Sequence, residues 1–98
     1  MTKSESVKNQ IMDLETQVKR LRDRLESLNI RYFRTLEHWD AKHTLLASRV
    51  REAINTPYKK NKGQKRIEQL NIQKQEFSKL IIEVEDMFNI RTEEHIEL

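Results

Sequence analysis

The clearest structural signal in the chain lies in residues 7–28, whose sequence is VKNQIMDLETQVKRLRDRLESL. Its apolar residues recur in alternating steps of four and three, which averages the 3.5-residue repeat of helices that supercoil around one another. We call this set the apolar stripe; it comprises Val7, Ile11, Leu14, Val18, Leu21, Leu25 and Leu28. The spacing predicts an amphipathic helix, because a strand would place apolar residues at every second position.

The helical pattern continues beyond the apolar stripe. Tyr32 and Leu36 extend it by two consecutive steps of four, after which the alternation resumes at Trp39 and runs to residue 53. An inserted step of this kind is a stutter, which unwinds a coiled coil locally without ending it. We therefore expect one long helix, helix 1, from about residue 3 to residue 55.

Residues 56–63 contain the only proline and the only glycine of the chain, Pro57 and Gly63, and predict a turn. A second helix is expected over about 64–89, followed by a tail over 90–98. Because a short connection makes two helices antiparallel neighbours, the predicted fold class is all-α. Residues 1–98 should form a single domain, a helical hairpin of a long helix plus a shorter antiparallel helix.

Opposite charges support this antiparallel register. Residues 83–97 carry six carboxylates and one arginine. The hairpin places them beside a series of arginines on helix 1, namely Arg22, Arg24, Arg31 and Arg34. Exposed ion pairs contribute only about 0–1 kcal/mol each, so they favour an orientation more than they add stability.

The unequal helix lengths predict self-association. With the hairpin closed, the part of the apolar stripe from Val7 to Leu21 has no partner within the chain, and exposed apolar surface of this size favours a second chain. We expect a homo-oligomer, a coiled-coil homodimer or a tetrameric four-helix bundle. Ile11, Val18 and Leu25 share one heptad position of the stripe, and Leu14, Leu21 and Leu28 share the other. β-Branched residues at the first position and leucine at the second favour a parallel dimer. The flanking charges do not pair in that register, so an antiparallel dimer stays an alternative.

Positive charge is concentrated at the turn. We call residues 58–66 the basic loop; it holds Tyr58 and five cations without an acid, namely Lys59, Lys60, Lys62, Lys65 and Arg66. Such a cluster can contact the phosphates of a nucleic acid or another anionic partner, and Tyr58 can stack on a base. Phosphate contacts position a protein without reading bases, so any binding should have low sequence specificity. The alternative is a solvated loop whose charge serves solubility.

Composition argues against an enzyme. The chain has no cysteine, which removes disulfides and thiol catalysis, and one glycine, which leaves no phosphate-cradling loop. His38 and His43 are five residues apart, on different faces of a helix, so they do not make a metal pair. We assign no catalytic, cofactor-binding or metal-ligating residue, and expect Trp39 to pack in the core against Ile81.

These observations lead to one functional expectation and one alternative. With 36% charged residues, a net charge of +3 and no apolar segment long enough for a membrane, we expect a soluble, cytoplasmic protein. It should be a non-enzymatic, oligomeric coiled-coil protein that binds another protein as an adaptor, inhibitor or scaffold. The alternative is a low-specificity nucleic-acid-binding protein that uses residues 58–66.

Overall fold

The computed structural model describes residues 3–56 and 61–89, which form three α-helices. These are α1 (Lys3–Leu28), α2 (Ala41–Asn55) and α3 (Gln64–Met87). One π-helical turn, Asn29–Phe33, continues α1 directly. The described residues contain no strand, which confirms the all-α class.

The single long helix expected from about residue 3 to residue 55 is wrong, because the chain leaves the helix near the stutter. The backbone N–H of Arg34 donates to the carbonyl oxygen of Asn29 at 3.1 Å, the five-residue hydrogen bond of a π turn. Helical structure resumes only at Ala41. There the side chain of Asp40 accepts a hydrogen bond from the backbone N–H of His43 at 2.8 Å and caps α2.

Aromatic packing explains why the helix ends here. Phe33 lies off the apolar stripe of a regular helix, but after the wider π turn it is completely buried. Its ring meets the ring of Phe88 edge-on at 5.0 Å, and Tyr32 stacks on Phe88 at 5.2 Å. Burying Phe33 contributes about 1.5–3 kcal/mol, which a straight helix would forfeit.

The break changes which helices run antiparallel. Successive contacts between α1 and α3 join Glu15 to Arg66 at 3.6 Å and Arg24 to Glu85 at 3.0 Å. Both residue numbers rise together, so α1 and α3 run parallel, which corrects the predicted pairing. The antiparallel pair consists of α2 and α3, which residues 56–63 connect.

The core is a single cluster to which all three helices contribute. Its buried members are Val18, Leu25, Leu28, Phe33, Leu46, Ala47, Val50, Ile54, Leu70, Phe77, Leu80, Ile81 and Val84. The C-terminal half of the apolar stripe therefore packs inside this chain.

The ends of α3 use backbone conformations that suit their residues. Gly63, just before the helix, has φ 62° and ψ −137°, a combination that only glycine adopts readily. Its carbonyl oxygen accepts the backbone N–H groups of Arg66 and Ile67 at 3.0 and 3.3 Å. Asn89, after the helix, has φ 54°, the left-handed conformation that often follows a helix end.

Candidate functional site

The structure divides the apolar stripe into two parts. Val18, Leu25 and Leu28 are buried in the core of the chain, with exposures of 8%, 0% and 7%. The oligomerisation predicted for these three residues therefore competes with their packing inside the chain. The other four members, Val7, Ile11, Leu14 and Leu21, are partly exposed.

The beginning of α1 extends past the first turn of α3, although Ile11 and Leu14 still pack against the core of the chain. Glu15 lies 3.6 Å from Arg66, in the first turn of α3, so residues 3–14 reach beyond the start of that helix. We call these residues the projecting segment. It carries three stripe residues, and Met12 beside them is 60% exposed. The apolar overhang is thus much shorter than the hairpin prediction implied, because Ile11 and Leu14 are partly buried against the core and only Val7 of the stripe lies outside that cluster.

The structure describes three of the six residues assigned to contacts in the basic loop. Lys62 and Lys65 are exposed, whereas Tyr58, Lys59 and Lys60 lie outside the described residues. Arg66 is buried at the contact between α1 and α3. Its guanidinium donates to the amide oxygen of Gln69 at 2.8 Å and lies 3.6 Å from the carboxylate of Glu15. Arg66 therefore belongs to the packing of the helices and not to the exposed loop.

A cleft of about 400 Å³ lies where α1, the end of α2 and the first half of α3 meet. Its apolar wall includes Ile54, Leu70 and Phe77, which are all buried. Its charged lining brings together residues that are far apart in the sequence. These are Lys19 and Arg22 of α1, Arg66 of α3, and one carboxylate, Glu15.

The arginines of α1 therefore have different surroundings. Arg24 donates to the carboxylate of Glu85 at 3.0 Å, so this arginine does meet the acidic end of α3. Arg22 instead lines the cleft with Lys19. Of the four arginines predicted to face the acidic residues, Arg24 does so and Arg22 does not.

Gln73 is the polar residue of the cleft that the sequence analysis missed. It is 7% exposed, lines the cleft, and has no hydrogen-bond partner for its side chain among the described residues. Its spacing offered a signal, since it lies three residues after Leu70 and four before Phe77, at positions typical of a buried helix face.

Trp39 and its neighbours form a surface feature at the opposite end of the fold. Trp39 is 41% exposed, and its indole Nε1–H donates to the carbonyl oxygen of Leu36 at 3.1 Å. Its ring packs on Phe33 at 5.9 Å, so the expected core position against Ile81 is wrong. The reason is the break in helix 1, which places Trp39 in the linker before α2.

His43 contributes to the capping of α2 and to aromatic packing. Its backbone N–H bond to Asp40 is the main cause that lowers the pKa of that carboxyl below 3.8, and attraction to the His43 side chain adds to it. The imidazole Nδ1 lies 2.8 Å from the carboxylate, and the ring packs on Phe88 at 5.6 Å. These contacts give His43 a structural role.

Neither a cluster of metal-ligating side chains nor a membrane-spanning helix is found in the part of the chain that the structure describes. Over residues 3–56 and 61–89 no group of three or more histidine, aspartate or glutamate side chains is arranged to hold a metal ion. In the same ranges, none of the helices has the length and apolar character needed to cross a membrane.

Comparisons of the chain with models of protein families, with curated proteins and with solved structures find no match.

Proposed function

We propose that this protein is a non-enzymatic, self-associating helical protein that binds another protein as an adaptor, inhibitor or scaffold. The observation that carries the proposal is the projecting segment. It begins before the first turn of α3, and its apolar side chains are only partly buried by the rest of the chain.

A second copy of this chain is the occupant that fits the projecting segment. Val7, Ile11 and Leu14 keep the spacing of four and three that lets two helices interlock side chains. The segment spans about three turns, or roughly 18 Å. A pair of helices this short gains limited apolar burial, so we expect association that depends on protein concentration.

Sedimentation equilibrium over a range of concentrations tests self-association. The wild-type mass should rise from 11.9 kDa towards twice that value as concentration increases. An Ile11→Asp/Leu14→Asp variant should stay monomeric, because two buried carboxylates at the interface would have no partner. A wild-type protein that stays monomeric throughout would contradict the proposal.

A matched control separates the stripe from general effects of charge. Gln10 and Thr16 are exposed positions of α1 outside the apolar stripe. A Gln10→Asp/Thr16→Asp variant adds the same two charges to the same helix and should associate like the wild type. Loss of association in both variants would show that charge repulsion, and not the apolar face, is responsible.

Exposed apolar side chains elsewhere support a partner protein. Ile72 and Ile82 on α3 and Leu45 on α2 are each more than half exposed, and none belongs to the projecting segment. A partner captured by the wild-type chain should be lost with Ile72→Asp/Ile82→Asp and retained with Gln75→Asp/Asn71→Asp, which changes exposed polar residues of α3. Equal capture by both variants would remove these side chains from the proposal.

Nucleic-acid binding is the second candidate, and the placement of four cations favours it. Lys62 and Lys65 are exposed just before and within the first turn of α3, and Lys19 and Arg22 line the cleft at the same end of the fold. These charges come from two separate stretches of sequence. Together they provide a larger basic surface than the loop alone.

Fluorescence anisotropy with duplex DNA across a salt series tests this candidate. If the protein binds phosphates, the logarithm of the association constant should fall linearly with the logarithm of the salt concentration. The slope should be about −0.9 for each phosphate neutralised. Binding should fall in Lys62→Glu/Lys65→Glu and persist in Lys42→Glu/Lys79→Glu, which changes two exposed lysines elsewhere. Arg66 is left intact because it is buried between helices. Absence of binding at low salt would eliminate the candidate.

A further inference from the structure

We propose that the cleft between α1, the end of α2 and α3 is a binding site for a phosphate monoester that carries a compact apolar group. This site is separate from the projecting segment and does not depend on self-association. The charged side chains, the amide of Gln73 and the apolar wall of the cleft each support the assignment.

The charges of the cleft match those of a phosphate monoester. Lys19, Arg22 and Arg66 oppose one carboxylate, Glu15, which leaves a formal charge of +2. A phosphate monoester carries about −1.5 to −2 at pH 7. Two of the three cations are arginines, whose planar groups donate two parallel hydrogen bonds to phosphate oxygens.

Arg66 is held in place before any ligand arrives. Its side chain is 10% exposed and is fixed by Gln69 at 2.8 Å and by Glu15 at 3.6 Å. A guanidinium has five N–H donors, so these contacts leave some of them for a ligand. A cation that is already ordered loses little conformational entropy when an anion binds.

Gln73 provides an independent indication of a ligand. The amide atoms of Gln73 are not among the fully buried polar atoms that lack a partner, so the amide opens to the cleft and is available to a ligand. Gln73 is 93% buried and lines the cleft, and none of the described residues bonds to its side chain. Its amide N–H₂ can donate to a phosphate or ester oxygen, which would supply the missing partner.

The cleft is larger than inorganic phosphate requires. Ile54, Leu70 and Phe77 form one side of the cleft, and its volume of about 400 Å³ is within the usual range of small-ligand pockets. A phosphate ion alone would fill only part of this volume. A phenyl-sized group attached to the phosphate would occupy the space beside these side chains and gain affinity from the burial of its own apolar surface.

The same chemistry has two sources, a free small ester and the phosphorylated end of a nucleic-acid strand. Phenyl phosphate represents the free ester. A short single-stranded DNA, compared with and without a 5′-phosphate, represents the strand end. Tighter binding of the phosphorylated strand than of phenyl phosphate would assign the site to strand ends. Tighter binding of phenyl phosphate would assign it to free esters.

Nuclear magnetic resonance titration of the ¹⁵N-labelled protein tests the site directly. Phenyl phosphate should shift the side-chain amide resonances of Gln73 in a saturable manner and should bind more tightly than inorganic phosphate or phenol. A Lys19→Gln/Arg22→Gln variant should lose affinity by about tenfold or more, because it removes charge-assisted hydrogen bonds. No saturable shift at Gln73 would overturn the proposal.

Two further variants keep the test interpretable. Lys8→Gln/Arg20→Gln removes the same charge from exposed positions of α1 outside the cleft and should bind like the wild type. Equal loss in both double variants would show general electrostatic attraction, which overturns the proposal. Gln73→Leu should weaken binding without unfolding the protein, because the amide that it removes makes no hydrogen bond within the described residues and leucine is of similar size.

Discussion

Gly63 sets the start of α3 through its backbone. With φ 62° and ψ −137° it occupies a region that other residues enter only with strain, although a Cβ at this position would meet no atom within 4 Å. Gly63→Ala should therefore lower the free energy of unfolding by about 1–3 kcal/mol through strain and not through a clash. Urea unfolding measures the effect, with Lys62→Ala as an exposed neighbour that should change little. Equal stability of the two variants would contradict the strain argument.

Asp40 makes the stability of α2 depend on pH. Hydrogen bonding to the His43 N–H lowers the pKa of this carboxyl in the folded state below its ordinary value of 3.8. Its contribution is therefore present above pH 3.8 and is lost as the pH falls through the folded-state pKa. The difference in Tm between wild type and Asp40→Ala should shrink below that pH.

An asparagine provides the control for this pH dependence. Asp40→Asn keeps a side-chain oxygen that can cap α2 but has no titrating group. Its Tm relative to Asp40→Ala should stay constant over the same acidic range. A difference that falls equally for aspartate and asparagine would assign the acid sensitivity to other groups.

At the scale of the helices, the linker between α1 and α2 is the feature that sequence periodicity missed. The backbone N–H of His38 has no hydrogen-bond acceptor among the described residues, whereas in a continuous helix it would bond four residues back. His38→Pro should therefore leave the helical circular dichroism nearly unchanged. The substitution would cost about 3 kcal/mol or more and reduce the signal if this position were helical.

A position inside α2 provides the comparison. Ser48 is an exposed residue of that helix, and Ser48→Pro should reduce both the helical signal and the Tm. If His38→Pro and Ser48→Pro reduced the signal equally, residues 34–40 would have to be helical in solution.

The helices were predictable to different extents for physical reasons. The periodicity of residues 7–28 and the pair Pro57 and Gly63 are local signals, and they predicted α1, a helix end at Asn55 and the start of α3 at Gln64. The stutter at Tyr32 and Leu36 marks the region of the break, but a stutter also occurs in continuous helices, and the break itself depends on aromatic contacts with the distant Phe88. The burial of Arg66 and the cleft depend in turn on the parallel register of α1 and α3, which the break creates.

At the scale of the whole molecule, self-association should appear in thermal stability. Binding to a second copy stabilises the folded state by mass action, so Tm should rise with protein concentration. The Ile11→Asp/Leu14→Asp variant should lose this dependence, while Gln10→Asp/Thr16→Asp should keep it. Differential scanning calorimetry over a wide concentration range measures both, and a wild-type Tm independent of concentration would argue against a dimer.

The break between α1 and α2 also has a consequence for the exchange of helices between two molecules. Residues 29–40 contain neither glycine nor proline, so nothing in their covalent structure prevents a continuous helix. Contacts such as that of Tyr32 with Phe88 keep the linker bent, and α3 of another molecule can make the same contacts. Two chains that straighten here can exchange their α2–α3 hairpins and recover each core contact between molecules. The linker therefore makes the fold suited to domain swapping, with an interconversion as slow as the opening of the core.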